Sequence, residues 1–174
     1  VPLYGPDVQQ GAMDKLTHAG VYGIETSMAT LGALYETDIN YYVRLNFTSL
    51  IDIVDILGGV DVNSEVAFTT GDESGAIVEV HEGVNHFNGE QALAFSRERH
   101  NLEDGDNQRG KNQQAVITGL LKKVISPTML LRSGAIMNQV SKDVEMNVTQ
   151  AQLNALIRNQ LKTNAEWTIQ SVAL

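Results

Sequence analysis

Apolar residues recur along this chain with two different periods, and the alternation between them predicts its elements. Ile24, Met28, Leu31 and Tyr35 fall at helical spacing, which predicts an amphipathic helix over residues 23–37 with its stripe against a sheet. A shorter helical turn at residues 15–19 precedes it, and the opening Val1-Pro2-Leu3-Tyr4-Gly5-Pro6 reads as extended chain or turn. Residues 40–46 switch to a period of two, with Tyr41, Val43 and Leu45 on one side and Tyr42 and Arg44 on the other, and predict a strand. Residues 48–59 begin with a hydroxyl and end in Gly58-Gly59, the start and stop signals of a helix, and Val60-Asp61-Val62 follows as a short strand. A strand, helix, strand succession predicts an α/β layer structure with a crossover connection.

Farther on, residues 68–88 read as a loop with a hairpin around residues 77–80, and residues 90–95 as a short helix. Asp106 is placed to cap a long helix over residues 107–125, buried through Val116, Leu120 and Val124 with Ile117 and Leu121 beside them. Ser126-Pro127 ends that helix and starts another. Thr149-Gln150-Ala151-Gln152 fits a capping box for a last helix containing Leu153, Leu156, Ile157 and Leu161, and residues 166–173 alternate like a strand. The stripe Leu50, Ile51, Val54 and Leu57 reads as core, although the same composition suits the lining of a lipid-chain tunnel.

At 174 residues and 43% hydrophobic content, residues 1–174 fit a single domain with a sizeable core. The net charge of −9 argues against general affinity for nucleic acid or anionic membranes. The absence of cysteine excludes disulfides, zinc thiolate sites and thiol nucleophiles. No apolar run approaches the roughly 20 residues that span a bilayer. Because the first residue is Val1 and not Met, the chain reads as a processed or excised piece, with any membrane anchor upstream.

Charge changes the picture locally. Residues 45–96 contain no Lys or Arg, and then Arg97, Arg99 and Arg109 supply half of the chain's six arginines. Arg97 and Arg99 point the same way if their segment is extended. Asp106, Arg109 and Gln113, at i, i+3 and i+7, share one face of the predicted helix, whose N-terminus adds backbone N–H groups and a positive dipole end. Three guanidinium forks and an amide can surround a phosphate or pyrophosphate with bidentate, charge-assisted hydrogen bonds. Asp106 among them can orient an arginine, bind a metal or take a proton. A solvated charge run is the alternative, with Arg97, Glu98, Arg99, Glu103 and Asp104 paired at the surface for little net stability. Other chemistry has weaker support: His18, His81, His86 and His100 lack metal-ligand spacing, so no metal site is assigned, and no serine lies in a Gly-x-Ser-x-Gly context.

Ala92-Leu93-Ala94-Phe95-Ser96-Arg97-Glu98-Arg99, followed by Gly105-Asp106-Asn107-Gln108-Arg109-Gly110-Lys111-Asn112-Gln113-Gln114, resembles the signature of the LytR-CpsA-Psr family. Asp14-Lys15-Leu16-Thr17-His18-Ala19, Asp38-Ile39-Asn40-Tyr41-Tyr42-Val43 and Leu57-Gly58-Gly59-Val60-Asp61-Val62 extend the resemblance over nearly the whole chain, in the family's order. It implies a central mixed β-sheet flanked by helices in α/β/α layers. It also implies a membrane-anchored, extracytoplasmic enzyme, mainly of Gram-positive bacteria, that moves wall teichoic acid or capsular polysaccharide from a polyprenyl-pyrophosphate carrier to peptidoglycan. By the same resemblance Arg97, Arg99 and Arg109 hold the pyrophosphate and Gln113 assists. Asp106 and Arg99 are the catalytic pair, Asp106 orienting arginines or transferring a proton, and Leu50, Ile51 and Val54 line a tunnel for the prenyl chain. The family's domain normally begins earlier, with strands whose acidic residues are implied to bind Mg2+. The expectation is therefore a domain truncated at its N-terminus, lacking its magnesium ligands and membrane anchor, with an open sheet edge that invites a homodimer. Two other functions stand beside the transferase. One is a transcriptional regulator or attenuator, the older family name, which an acidic chain without a basic recognition helix supports poorly. The other is a non-catalytic module that binds polyprenyl phosphate or wall polymer.

Overall fold

The Asn46 side chain accepts a hydrogen bond from the Ser49 backbone N–H at 2.8 Å, which caps the helix that starts at Phe47. Such local signals set most element boundaries in the computed structural model, which describes residues 1–102, 105–131 and 144–169. In chain order the elements begin with a 3-10 helix (Leu16–Tyr22), α1 (Ile24–Tyr35), β1 (Val43–Leu45), α2 (Phe47–Ile56) and β2 (Val60–Ser64). Then come β3 (Phe68–Thr69), a 3-10 turn (Asp72–Ser74), β4 (Glu79–Val80), β5 (Gly83–Phe87) and α3 (Gly89–Arg97). The last are α4 (Gly105–Val124), α5 (Pro127–Leu131), β6 (Val144–Met146) and α6 (Gln150–Thr163). The chain divides into two units, Val1–Arg44 with Glu145–Thr149, and Leu45–Val144 with Gln150–Leu174.

In the first unit, α1 buries Thr26 and Thr30 instead of the expected stripe of Ile24, Met28, Leu31 and Tyr35, and Tyr35 is exposed. The reason is a backbone partner. The Tyr4 N–H donates to the Thr30 hydroxyl at 3.0 Å, and the hydroxyl donates back to the Tyr4 carbonyl at 3.3 Å. Gly5 lies so close to Thr26 that a Cβ there would overlap it. The helical turn expected at residues 15–19 lies within the first 3-10 helix. The strand expected over residues 40–46 is confined to β1, which pairs with β6. Nearby, Arg44 meets Glu145 at 3.5 Å and the Tyr42 N–H donates to the Asn147 side chain at 2.9 Å.

The second unit is built on β2, antiparallel to β5 with Val60 opposite Phe87 and Ser64 opposite Gly83. Val60, Val62 and Ser64 face inward and Asp61 and Asn63 outward, as a period of two demands. β3 and β4 form the expected hairpin, antiparallel with Phe68 opposite Val80. Helix α4 passes so near β2 that a Cβ on Gly119 would overlap the Asp61 carbonyl and the Val60 side chain. Gly89 meets the Ile51 backbone equally closely, and its N–H donates to the Asp55 carboxylate at 2.8 Å, which fixes α3 against α2. The core gathers Val54, Val60, Val62, Val78, Val80, Phe87, Phe95 and Val116. Phe95 is its hub, with ring centroids 5.7 Å from Phe68 and 5.3 Å from Phe87.

The α/β class, helices laid on small sheets, is as expected. Three expectations change. No crossover joins β1 and β2: among the described residues β1 pairs with β6, β2 with β5 and β3 with β4. Helix α4 buries Gln108, Asn112, Val116 and Gly119, while Ile117, Leu121 and Val124 are exposed: its inner face follows its approach to α3 and β2, not its most apolar residues. Residues 166–169 form no strand, and 170–174 lie outside the described residues.

Candidate functional site

Glu98 follows the last turn of α3 in extended conformation, with φ −61° and ψ 134°. Successive side chains in extended backbone point to opposite sides. Arg97, the last residue of α3, and Arg99 are both exposed, while Glu98 between them is 1% exposed. One of its carboxylate oxygens accepts from the Gly71 N–H at 2.5 Å and the Ser74 hydroxyl at 2.9 Å. The other accepts from the backbone N–H groups of Arg99, His100 and Asn101 at 2.9, 2.8 and 3.1 Å. Burial pushes this carboxyl up, but the hydrogen bonds from Gly71, Asn101, Ser74 and His100 outweigh burial and hold its pKa at about 2. Glu98 thus ties residues 98–101 to the turn at residues 71–74. The Asn101 amide adds a bond to the Thr69 carbonyl at 3.0 Å.

On α4, Gln108 and Asn112 are buried; the Gln108 amide donates to Asn112 at 3.2 Å, and the Asn112 amide donates to the Phe95 carbonyl at 3.2 Å. These bonds lock α4 onto α3. In consequence Arg97, Arg99, Arg109 and Gln113 all line one cavity of about 340 Å³. Phe47, Glu73, Ser74, Ser96 and His100 complete its wall. Each guanidinium has a different neighbour. That of Arg97 lies over the Phe47 ring at 5.0 Å, Arg99 donates through Nε to His100 Nε2 at 3.1 Å, and Arg109 meets Asp106 at 3.3 Å. His100 Nε2 also approaches Glu73 at 3.0 Å.

The structure therefore brings onto one cavity wall the four residues that the sequence offered for an anion. Asp106 stands apart from the cavity wall, exposed in the first turn of α4 and linked to the cavity through Arg109. Leu50, Ile51 and Val54 do not line this cavity: Val54 is fully enclosed, Leu50 packs against the core cluster, and the Ile51 backbone meets Gly89. Sequence reasoning missed Phe47, Glu73 and Ser74, which come from other parts of the chain, and His100, which directly follows Arg99. It also left Glu98 in a surface charge run, although the alternation that sends Arg97 and Arg99 outward sends Glu98 inward.

The described residues do not supply a magnesium site. Among the described residues no group of three or more His, Asp or Glu could hold a metal. Of the described carboxylates beside the cavity, Glu98 is committed to its five donors. Among the described residues no helix is long and apolar enough to cross a membrane.

Comparison with known proteins bears on the same stretch of chain. The TagU polyisoprenyl-teichoic acid–peptidoglycan teichoic acid transferase of Bacillus mycoides (strain KBAB4) is 36% identical over 157 residues, 90% of this chain and 50% of the relative. The chain spans about half the length of the curated relatives it matches. The crystal structure of B. subtilis TagV is similar with a TM-score of 0.75 at 25% identity, covering 92% of this chain and 61% of that one. A structure of TagT bound to LI-WTA is similar with a TM-score of 0.61 at 27% identity, covering 85% of this chain and 55% of that one. The model of the LytR_cpsA_psr family matches residues 3–174. With the arginine-lined cavity and the fold both inside that match, the chain belongs to the LytR-CpsA-Psr family.

Proposed function

We propose that this chain carries the pyrophosphate-holding site of a glycopolymer–peptidoglycan phosphotransferase, which moves teichoic acid or capsular polysaccharide from a polyprenyl-pyrophosphate carrier to peptidoglycan. One observation carries this reading: Arg97, Arg99, Arg109 and Gln113, from two helices and the loop between them, line one cavity. The carboxylate between the first two arginines is turned inward and satisfied elsewhere.

In the proposed reaction an acceptor hydroxyl of peptidoglycan attacks the phosphorus that bears the glycopolymer, and its oxygen forms the new P–O bond. The P–O bond to the polyprenyl phosphate breaks, and that group leaves with the electron pair. Negative charge grows on the leaving phosphate, and the three guanidinium groups are placed to neutralise it, as preorganised cationic donors do in phosphoryl transfer. Asp106 orients Arg109 or receives the acceptor's proton. Magnesium, in this proposal, is ligated by residues outside this chain. An extracytoplasmic location, anchorage through a segment outside this chain and pairing of two copies through an open strand edge belong to the same proposal.

Isothermal titration of polyprenyl pyrophosphate into the wild type, Arg97→Ala and Arg109→Ala tests it. Each substitution is expected to weaken binding at least about tenfold, in keeping with a charge-assisted hydrogen bond. Unchanged binding in both variants would exclude the clamp. Binding without transfer by the whole protein would mark a binding module in place of an enzyme.

A further inference from the structure

Arg97 differs from the other two cavity arginines in what holds it. Arg99 and Arg109 each contact a titratable side chain, His100 and Asp106, whereas Arg97 lies over the hydrocarbon ring of Phe47 at 5.0 Å. That distance lies within the roughly 6 Å over which a ring quadrupole attracts a cation. Among the described residues, Arg97 forms no ion pair. Its adjacent carboxylate, Glu98, is committed to Gly71, Ser74 and three backbone N–H groups.

Phe47 is itself unusual. It is the first residue of α2, held in place by the Asn46 cap, and its side chain remains 60% exposed on the wall of the cavity. Apolar burial does not explain a ring left mostly in water. A carboxylate at this position would hold Arg97 equally well, but it would cancel the guanidinium charge and repel an incoming polyanion. An aromatic ring does neither. It engages the flat face of the guanidinium, while the five N–H donors lie in the guanidinium plane and stay available.

We propose that Phe47 is a positioning residue of the diphosphate site: its ring holds Arg97 by its face, leaving the charge uncompensated and the N–H fork open to the ligand. The proposal rests on the pyrophosphate reading above and adds to it the residue that prepares one arm of the clamp. Phe47 acts through Arg97 and needs no contact with the ligand.

The test is titration of inorganic pyrophosphate into the 174-residue chain carrying Phe47→Leu, Phe47→Tyr, Phe47→Trp, Arg97→Ala or the Phe47→Leu/Arg97→Ala pair. Circular dichroism and urea midpoints establish that each variant is folded. Phe47→Met, which keeps bulk without a ring, replaces Phe47→Leu if that variant fails to fold. The expected result is about two- to fivefold weaker binding in Phe47→Leu, the range of an exposed cation–π contact. Tyr and Trp should retain wild-type affinity, since both present a π face. In the double variant the loss should equal that of Arg97→Ala alone, because a ring that works through Arg97 has nothing left to position. Wild-type affinity in Phe47→Leu with weakened binding in Arg97→Ala overturns the role of Phe47 and leaves the clamp standing. Additive losses in the double variant, or a loss in Phe47→Trp as large as in Phe47→Leu, also overturn it. Wild-type affinity in Arg97→Ala overturns both the positioning role and the clamp.

Discussion

The Ser74 hydroxyl donates to the Glu98 carboxylate at 2.9 Å, across the gap between the turn at residues 72–74 and the end of α3. This bond and its four companions hold an acidic side chain away from the two arginines that flank it. Removal of the acceptor leaves five donors without their partner. Glu98→Ala is therefore expected to lower stability by about 2–4 kcal/mol, with Glu98→Gln at the lower end because its amide oxygen still accepts. Urea unfolding followed by circular dichroism measures both.

The same carboxylate makes stability depend on acid. Its pKa in the folded chain, about 2, lies below the ordinary value of 4.5, so its contribution is complete above pH 4.5 and disappears as pH falls toward 2. Wild type is expected to exceed Glu98→Gln in urea midpoint at neutral pH, with the gap closing over that window. A gap that stays constant from pH 5 to about pH 2 would show that charge on Glu98 contributes nothing.

Asp106 and Arg109 form an exposed pair at 3.3 Å, so their attraction is worth little to the fold. Asp106→Asn should leave the urea midpoint within about 0.5 kcal/mol of wild type and tighten inorganic pyrophosphate binding up to about fivefold, since it frees a guanidinium from its counter-charge. Transfer by the whole protein should fall at least about 100-fold if Asp106 handles the acceptor's proton. A full transfer rate in Asp106→Asn would reduce Asp106 to a counter-ion.

Gly119 sets the distance between α4 and β2, because a Cβ there would overlap the Asp61 carbonyl and the Val60 side chain. Neither the carbonyl nor a fully buried valine can move aside easily. Gly119→Ala is expected to destabilise the second unit by about 1–3 kcal/mol despite its better helix propensity. Gly110→Ala on the same helix, with open space around it, should be neutral or slightly stabilising. Thermal unfolding of the two variants side by side measures the contrast.

The legible parts of this chain were those governed by local chemistry. Pro127 begins α5, and Gly58 and Gly59 adopt positive φ beyond α2, each within a few residues of its signal. The helical spacing of Asp106, Arg109 and Gln113 placed Arg109 and Gln113 on the cavity wall, because position on one helix face needs no tertiary information. Burial was less legible. Met28 and Leu31 look like a core stripe, yet Thr26 and Thr30 are buried because the chain around Tyr4 supplies backbone partners. Ile117 and Leu121 lost their expected places to Gln108 and Asn112 for a similar reason: the Phe95 carbonyl needed a donor. Phe47 and Glu73 entered the cavity through long-range packing that periodicity does not encode.

The alternation at Arg97, Glu98 and Arg99 also makes the cavity's electrostatics sensitive to chain length. Counted along the backbone, the tripeptide has one net positive charge, but the cavity meets two, because the negative one points into the protein. A single residue inserted just before Glu98 would take its place against the five donors and move the carboxylate one position on, to the side that faces the cavity. The five donors would lose their acceptor. Substitution is tolerable at many surface positions of such a loop, whereas a change of one in its length at this point would bring a negative charge into the site.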